Sequence, residues 1–223
     1  EAGLGEREAL AGGGDGLGHA HWSNGDPVQA LGLFERSQAA YRSAGGPDHP
    51  SVASAGINIS SIRMSRSEWD AALAAVRPAL ALMERAYGPD NPNVADCLVN
   101  LANILTARGE LREALAASER AAQIYARVHG PLHGTAISLT LEIGVLQALL
   151  GRPEAALASL HRGLALRGQA AYKTPAGLAG IHILLADILT DERRHKLAEL
   201  EYGTALGLGA EPPPEIRRAA LRG

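Results

Sequence analysis

Histidine and cysteine are the residue types of this 223-residue chain best suited to metal binding or acid–base chemistry. His129 and His133 stand four residues apart, a spacing that places two metal ligands on one face of a continuous helix. Gly130 and Pro131 lie between them and interrupt such a helix, so both are interpreted as linker histidines. Because Cys97 is the one cysteine, multi-cysteine metal sites and disulfides are excluded. The sequence predicts no metal site and no cofactor.

A glycine-rich run and the single cysteine could also take part in binding or catalysis. A glycine-rich run at 12–18 could cradle a phosphate, but it lacks the Gly-x-Gly-x-x-Gly and Gly-Lys-Ser/Thr patterns and follows no predicted strand. It is interpreted as a short or frayed first helix, because glycine destabilises a helix interior. Cys97 lies beside Leu98 on an apolar face and is predicted to fill core volume. With no recognisable nucleophile, base and oxyanion donor, the chain is not predicted to be an enzyme.

The charge balance and the apolar segments exclude two further classes. Lys and Arg total 21 and Asp and Glu total 24, a net charge of −3 that argues against nucleic-acid binding. The most apolar window, 135–150, has about 16 residues and includes Glu142, whereas a membrane-spanning helix needs about 20 apolar residues. Residues 1–20 are acidic and rich in glycine, unlike a signal peptide. We therefore expect a cytoplasmic protein that binds neither nucleic acid nor membrane.

The elements that would position any site follow from an internal repeat. The segment Gly46-Pro47-Asp48-His49-Pro50 recurs 42 residues later as Gly88-Pro89-Asp90-Asn91-Pro92, and again as Gly130-Pro131-Leu132-His133. The same step connects five alanines, at 30, 72, 114, 156 and 198, and five small residues, at 37, 79, 121, 163 and 205. It also connects aliphatic residues at 17, 59, 101, 143 and 185. A turn glycine recurs at 25, 109 and 151, with lapses at Ser67 and Arg193. Such self-similarity indicates a repeat architecture.

Each repeat contains two helical patterns. Val94, Leu98, Leu101 and Leu105 follow the spacing of an amphipathic helix that starts near Pro92. A second pattern runs from 111 to 125, and no segment sustains the alternation of a strand. A helix pair of this size buries its apolar face by stacking on the next pair, which predicts an all-α solenoid. The predicted pairs span 5–45, 46–87, 88–129, 130–171 and 172–210. A Pro-rich break and a short terminal helix are predicted for 211–223, and Pro78 is expected to kink its helix or remove a hydrogen bond.

The pattern resembles the tetratricopeptide repeat family over residues 26–208, most specifically over 46–130. Leu101-Ala102, Gly109, Ala114 and Ala121 match the signature of that family. The 42-residue period and the segment Leu98-Val99-Asn100-Leu101-Ala102 are similar to repeats of the kinesin-light-chain type. The resemblance implies a right-handed superhelix of about five helix pairs that acts as a protein-interaction scaffold.

The resemblance also implies a binding groove lined by the first helix of each repeat. The matching positions are Ser54, Asn58, Ser61, Asp96, Asn100, Asn103, Ser138, Glu142 and Val145. An asparagine amide both donates to and accepts from an extended peptide backbone. Because no Lys or Arg occupies these positions, the expected ligand is a neutral or basic peptide that also contacts apolar pockets near Ile57 and Val99. The alternative, in which Asn58 and Asn100 are solvated or bond to the backbones of neighbouring helices, stays open.

A second function is compatible with the same repeats. The chain starts at Glu1 and not at Met, so we expect it to be a piece of a longer protein. Arrays of this type also resemble the accessory repeats of bacterial Ser/Thr protein kinases, which makes a regulatory region of a larger signalling enzyme the alternative function. None of the kinase motifs occurs in the chain. The oligomeric state is left open.

Overall fold

The computed structural model describes the backbone of residues 4–169 and 177–209, and side chains from residue 12 onward within those ranges. The described residues form ten α-helices and no strand. The predicted all-α fold is therefore confirmed. The terminal helix predicted within 211–223 lies outside the described residues. The helices are α1 (Leu4–Ser23), α2 (Pro27–Gly45), α3 (Pro50–Ser65), α4 (Trp69–Tyr87), α5 (Pro92–Ala107), α6 (Leu111–His129), α7 (Gly134–Leu149), α8 (Pro153–Gln169), α9 (Leu178–Asp191) and α10 (His195–Gly207).

Proline marks the start of several helices, including those that follow the linkers at 46–50 and 88–92. Proline opens α2, α3 and α5, where its missing N–H leaves no intrahelical bond unmade. The residue before each proline caps the helix with its side chain. Asp26 accepts from the Gln29 N–H at 3.1 Å, His49 Nδ1 from the Ser51 N–H at 3.3 Å, and Asn91 from the Asn93 N–H at 2.9 Å. Three different side chains thus each satisfy one free N–H group of the first turn, three residues after the cap in α2 and two residues after it in α3 and α5.

The turn between the two helices of a pair has a left-handed residue every 42 positions. Its φ is 78° at Gly25, 77° at Gly109 and 69° at Gly151, and Ser67 and Arg193 adopt 58° without being glycine. At the third copy Gly109 N–H bonds to the Thr106 carbonyl and Glu110 N–H to the Leu105 carbonyl, which are the bonds of a Schellman cap. The turn therefore keeps its backbone conformation where the sequence lapses from glycine.

Replacing Ser67 with glycine should stabilise the protein. A left-handed conformation costs a residue with a Cβ about 1–2 kcal/mol, partly offset by the greater unfolded-state freedom of glycine. We expect a net gain of about 0.5–1 kcal/mol, measured as a higher midpoint of thermal unfolding. The matched control, Gly109→Ala, introduces the same strain and should lower the midpoint. A lower midpoint for Ser67→Gly would contradict this account of the turn.

Small side chains lie where the two helices of a pair cross. The five alanines at 30, 72, 114, 156 and 198 are each 0–3% exposed. Ser37, Ala79, Ala121 and Ala205, at the second repeated small position, are 2%, 3%, 0% and 2% exposed, and Gly163 is buried. Close helix approach needs small residues at the contact, because interiors pack without voids. The small residues that recur every 42 positions thus lie where the paired helices cross.

The glycines of α1 serve the same contact, and the expectation of a short or frayed first helix is wrong. α1 spans 20 residues. A Cβ on Gly18 would lie 2.9 Å from Cζ of Phe34, and one on Gly14 would clash with Ser37 Oγ. Glycine at these two positions lets α1 lie close against α2, and the packing offsets its low helix propensity. Pro78 lies inside α4, which continues to Tyr87.

The chain divides into two compact units, Glu1–Ile124 and Tyr125–Gly223. In the first unit, Ala30, Phe34, Ile59 and Ile62 form a buried cluster that connects α2 with α3. The second unit has its own apolar cluster from α7 to α10, including Leu160, Leu185 and Leu189. Each unit therefore has apolar contacts of its own, while the five repeat boundaries given above stay a prediction.

Ala114 provides a test of the crossing positions. Ala114→Phe places a large side chain at a fully buried contact and should cost about 1–3 kcal/mol through overpacking. Ala116, two residues along the same helix, is exposed, so Ala116→Phe serves as the matched control and should change stability much less. Thermal unfolding of the two variants gives the comparison. Equal losses would contradict the assignment of Ala114 to a crossing.

Candidate functional site

The predicted groove residues of the first unit lie on α3 and α5. Spacings of four and three residues place Ser54, Asn58 and Ser61 on one face of α3. Asp96, Asn100 and Asn103 occupy the corresponding face of α5. Ser54, Asp96 and Asn103 are exposed, and the other three are half-buried. We call these six residues the first-helix face.

Hydrogen bonds on this face connect the first helix of each repeat to the first helix of the preceding repeat. Asn100 Nδ2 donates to Ser61 Oγ at 3.0 Å, across 39 residues of sequence. Asn58 Nδ2 lies 3.5 Å from His19 Nε2, again 39 residues away. Ser61 Oγ in turn donates to the Ile57 carbonyl at 3.1 Å. The partners of both asparagines are therefore side chains of the preceding repeat, and not the helix backbones that the alternative named.

These bonds leave ligand-binding capacity on the asparagines. An amide has two N–H donors and one carbonyl acceptor. Among the described residues, Asn100 uses one donor on Ser61 and makes no other side-chain bond. Its remaining N–H and its oxygen can bond to a peptide backbone. The contact with Ser61 also orients the amide before any ligand arrives.

His19 extends the first-helix face with one more polar side chain, although the sequence did not single it out. We call His19, Asn58, Ser61 and Asn100 the polar row. His19 is exposed on α1, and its ring meets Phe34 edge to face, with centroids 5.0 Å apart. The 42-residue step relates His19 to Ser61, so the repeat itself could have identified it. No three His, Cys, Asp or Glu side chains of the described part form a candidate metal group.

The other predicted positions lie in the second unit. On α7, Ser138 is exposed, and Glu142 and Val145 are half-buried. The structure thus brings together Ser61 with Asn100 and Asn58 with His19. It shows no side-chain bond for Ser54 or Asn103 among the described residues. Ile57 and Val99, the predicted apolar contacts, are both half-buried.

The second unit contains a separate polar cluster on its last three helices. Glu201 of α10 lies 2.6 Å from His182 Nδ1 of α9 and 3.8 Å from His161 Nε2 of α8. Nearby, the Tyr202 hydroxyl donates to Asp187. Burial, followed by the hydrogen bond and the charge of Asp187, raises the pKa of Tyr202 to about 12. These contacts connect α8, α9 and α10.

Cys97 is a core residue. It is fully buried on α5, and burial, with a smaller contribution from the charge of Asp96, raises the pKa of its thiol to about 12. The thiolate is the nucleophilic form of cysteine. Cys97 therefore stays protonated near neutral pH and does not supply a reactive group.

We expect native Cys97 to resist a thiol-specific reagent at about pH 8, because it is both buried and protonated. The reagent should modify it rapidly once the protein is unfolded in denaturant, which is the control. The absorbance of the released reporter gives the rate. Rapid modification of the native protein would contradict the buried placement on α5.

Comparison with known proteins agrees with this architecture. A sequence model of the tetratricopeptide repeat family matches residues 53–125 and 98–169, together more than half of the chain. A search of curated protein sequences finds no match. No described helix is long and apolar enough to cross a membrane.

Solved structures with the same fold include the kinesin-light-chain TPR-like repeats of Podosopora anserina, with 16% identity and a TM-score of 0.74 over 92% of this chain and 96% of that one. BtubC (BKLC) of P. vanneervenii has 18% identity and a TM-score of 0.69 over 96% of each chain. PilF of Pseudomonas aeruginosa has 18% identity and a TM-score of 0.65 over 95% of this chain and 81% of that one. At these identities the likeness concerns the fold alone. With the family match over both units, the conclusion is that this chain belongs to the tetratricopeptide repeat family.

Proposed function

We propose that this protein is an interaction scaffold whose first-helix face binds an extended peptide segment of a partner protein. Tetratricopeptide repeats generally bind protein partners. The observation that carries the proposal is the polar row in which Asn58 and Asn100 are held by contacts to the preceding repeat. Both amides keep groups that pair with a peptide backbone.

The bonds to His19 and Ser61 are part of how the face would work. A side chain that is already oriented loses less conformational freedom on binding, so preorganisation increases affinity. Ser61 orients Asn100, and His19 lies against Asn58. A peptide backbone would then meet two amides spaced one repeat apart.

The composition of the face favours a neutral or basic peptide. Asp96 is exposed, and none of the six positions carries Lys or Arg. Without a cation, the face has no clamp for a peptide carboxylate. Ile57 and Val99 add half-buried apolar surface for small side chains. The alternative, a regulatory region of a larger signalling enzyme, stays a prediction from the sequence.

The double variant Asn58→Ala/Asn100→Ala tests the proposal. A partner is first captured with the wild-type protein, identified by mass spectrometry and purified. We expect its dissociation constant to rise about 5- to 150-fold, because each of the two lost amide contacts contributes about 0.5–1.5 kcal/mol. Isothermal titration calorimetry at a temperature where the variant is folded gives the constant.

The control is Glu119→Ala/Gln123→Ala, a double truncation of exposed side chains on α6. It should leave the dissociation constant unchanged. Circular dichroism shows that each variant is folded, which matters because the asparagine bonds also connect repeats. If the folded asparagine variant binds the partner as tightly as wild type, the first-helix face is not the binding site.

A further inference from the structure

A groove separate from the first-helix face opens between α2 and α4. Its volume is about 620 Å³, within the range of ligand sites. Val52, Ala53 and Ile59 of α3 line its floor. On the α4 side, the small side chains of Ala71, Ala74, Ala75 and Pro78 line the groove, and Leu82 and Arg85 line it further along the helix.

A comparison with the contact between α4 and α6 explains why the groove between α2 and α4 is open. Between α4 and α6, Arg77 bonds to Glu113 at 2.8 Å, and Arg120 pairs with Glu84. Arg120 also donates to the Pro89 carbonyl at 3.0 Å. The α4 residues one repeat before Glu113 and Arg120 are Ala71 and Pro78. The long side chains that bridge α4 and α6 thus have short counterparts beside α2.

Pro78 also leaves a polar group in the groove wall. Proline has no backbone N–H, so the Ala74 carbonyl lacks the donor that a helix normally supplies. Ala74 is exposed, and a carbonyl without its usual helical partner can accept a hydrogen bond from another donor. The residues on both sides of it, Ala74 and Pro78, line the groove.

The charges of the groove favour an acidic ligand. Glu35 is paired with Arg63 at 2.9 Å, and Asp48 is paired with Arg85. Arg42 lines the same groove, is exposed and has no ion-pair partner among the described residues. The groove therefore keeps one positive charge after its acidic groups are neutralised.

We propose that the α2–α4 groove binds an extended acidic peptide segment of a partner protein. An acidic side chain of that segment pairs with Arg42, one of its backbone N–H groups donates to the Ala74 carbonyl, and small apolar side chains lie against Ala71 and Ala75. An extended strand fits because its N–H groups are unpaired, whereas those of a helix bond internally. This ligand is opposite in charge preference to the one proposed for the first-helix face.

The test uses three pools of fluorescein-labelled octapeptides. Their central residue is Asp, Asn or Lys, and the remaining positions are mixtures of Ala, Val, Ser and Pro. Fluorescence anisotropy measures binding to the full chain. We expect the Asp pool to bind about tenfold more tightly than the Asn pool, because hydrogen bonds to charged groups are stronger. Methyl NMR signals of Ala71 and Ala75 should shift on binding.

Two pairs of variants test separately the charge of Arg42 and the open space beside Ala74. Arg42→Gln should abolish the preference for Asp, whereas Arg36→Gln, on the exposed surface of the same helix outside the groove, should keep it. Ala74→Leu fills the groove and should weaken binding of the Asp pool at least about tenfold. Ala116→Leu, the exposed counterpart one repeat later, should not. Circular dichroism confirms that each variant is folded.

Three outcomes would overturn the proposal: equal binding of the Asp and Asn pools, a preference for Asp that survives Arg42→Gln, or methyl shifts at Ile57 and Val99 without shifts at Ala71 and Ala75. A wild-type dimer in sedimentation that Ala74→Leu converts to monomer would assign the groove to a second copy of the chain instead. Loss of partner binding in the asparagine variant, with Asp-pool binding intact, would show that the two surfaces are independent.

Discussion

The close approach of paired helices is the contact on which the rest of this structure depends. Alanine recurs every 42 residues at the crossing and is buried in every copy. Where α1 meets α2, glycine takes this role, and Gly18 lies against the Phe34 ring. A larger side chain at either place would separate the helices and expose the apolar residues around the contact. Small residues are therefore as important to this core as large ones.

The same repetition that builds the core arranges polar groups at its surface. Because each repeat has the same backbone, Asn58 and Asn100 occupy equivalent sites, each close to a side chain of the preceding first helix. Under the proposed function, structural and binding roles are therefore combined in one residue type. Each amide contacts the neighbouring repeat through one group and keeps others for a ligand. A ligand that bridges both amides would reinforce the stacking of repeats.

Repeats with one backbone differ where their surface side chains differ. Arg77 and Arg120 bridge α4 to α6 through ion pairs, while the small side chains of Ala71 and Pro78 leave the space beside α2 open. The exchange of two long side chains for short ones does not alter the helix pair. It replaces an ion-paired surface with a groove in which Arg42 has no ion-pair partner among the described residues. A single fold thus offers two surfaces of different chemistry.

The sequence by itself determined the all-α fold, the 42-residue period and the crossing residues, because these follow from local spacing and from proline and glycine at helix ends. Only the tertiary structure decided how the helices pack and which side chains distant in sequence come into contact. α1 is continuous because α2 packs on its glycines, and His19 joins the polar row through a contact 39 residues away. Leu17 is 57% exposed, although its repeat counterparts are buried. Such features depend on neighbours distant in sequence, which periodicity does not specify.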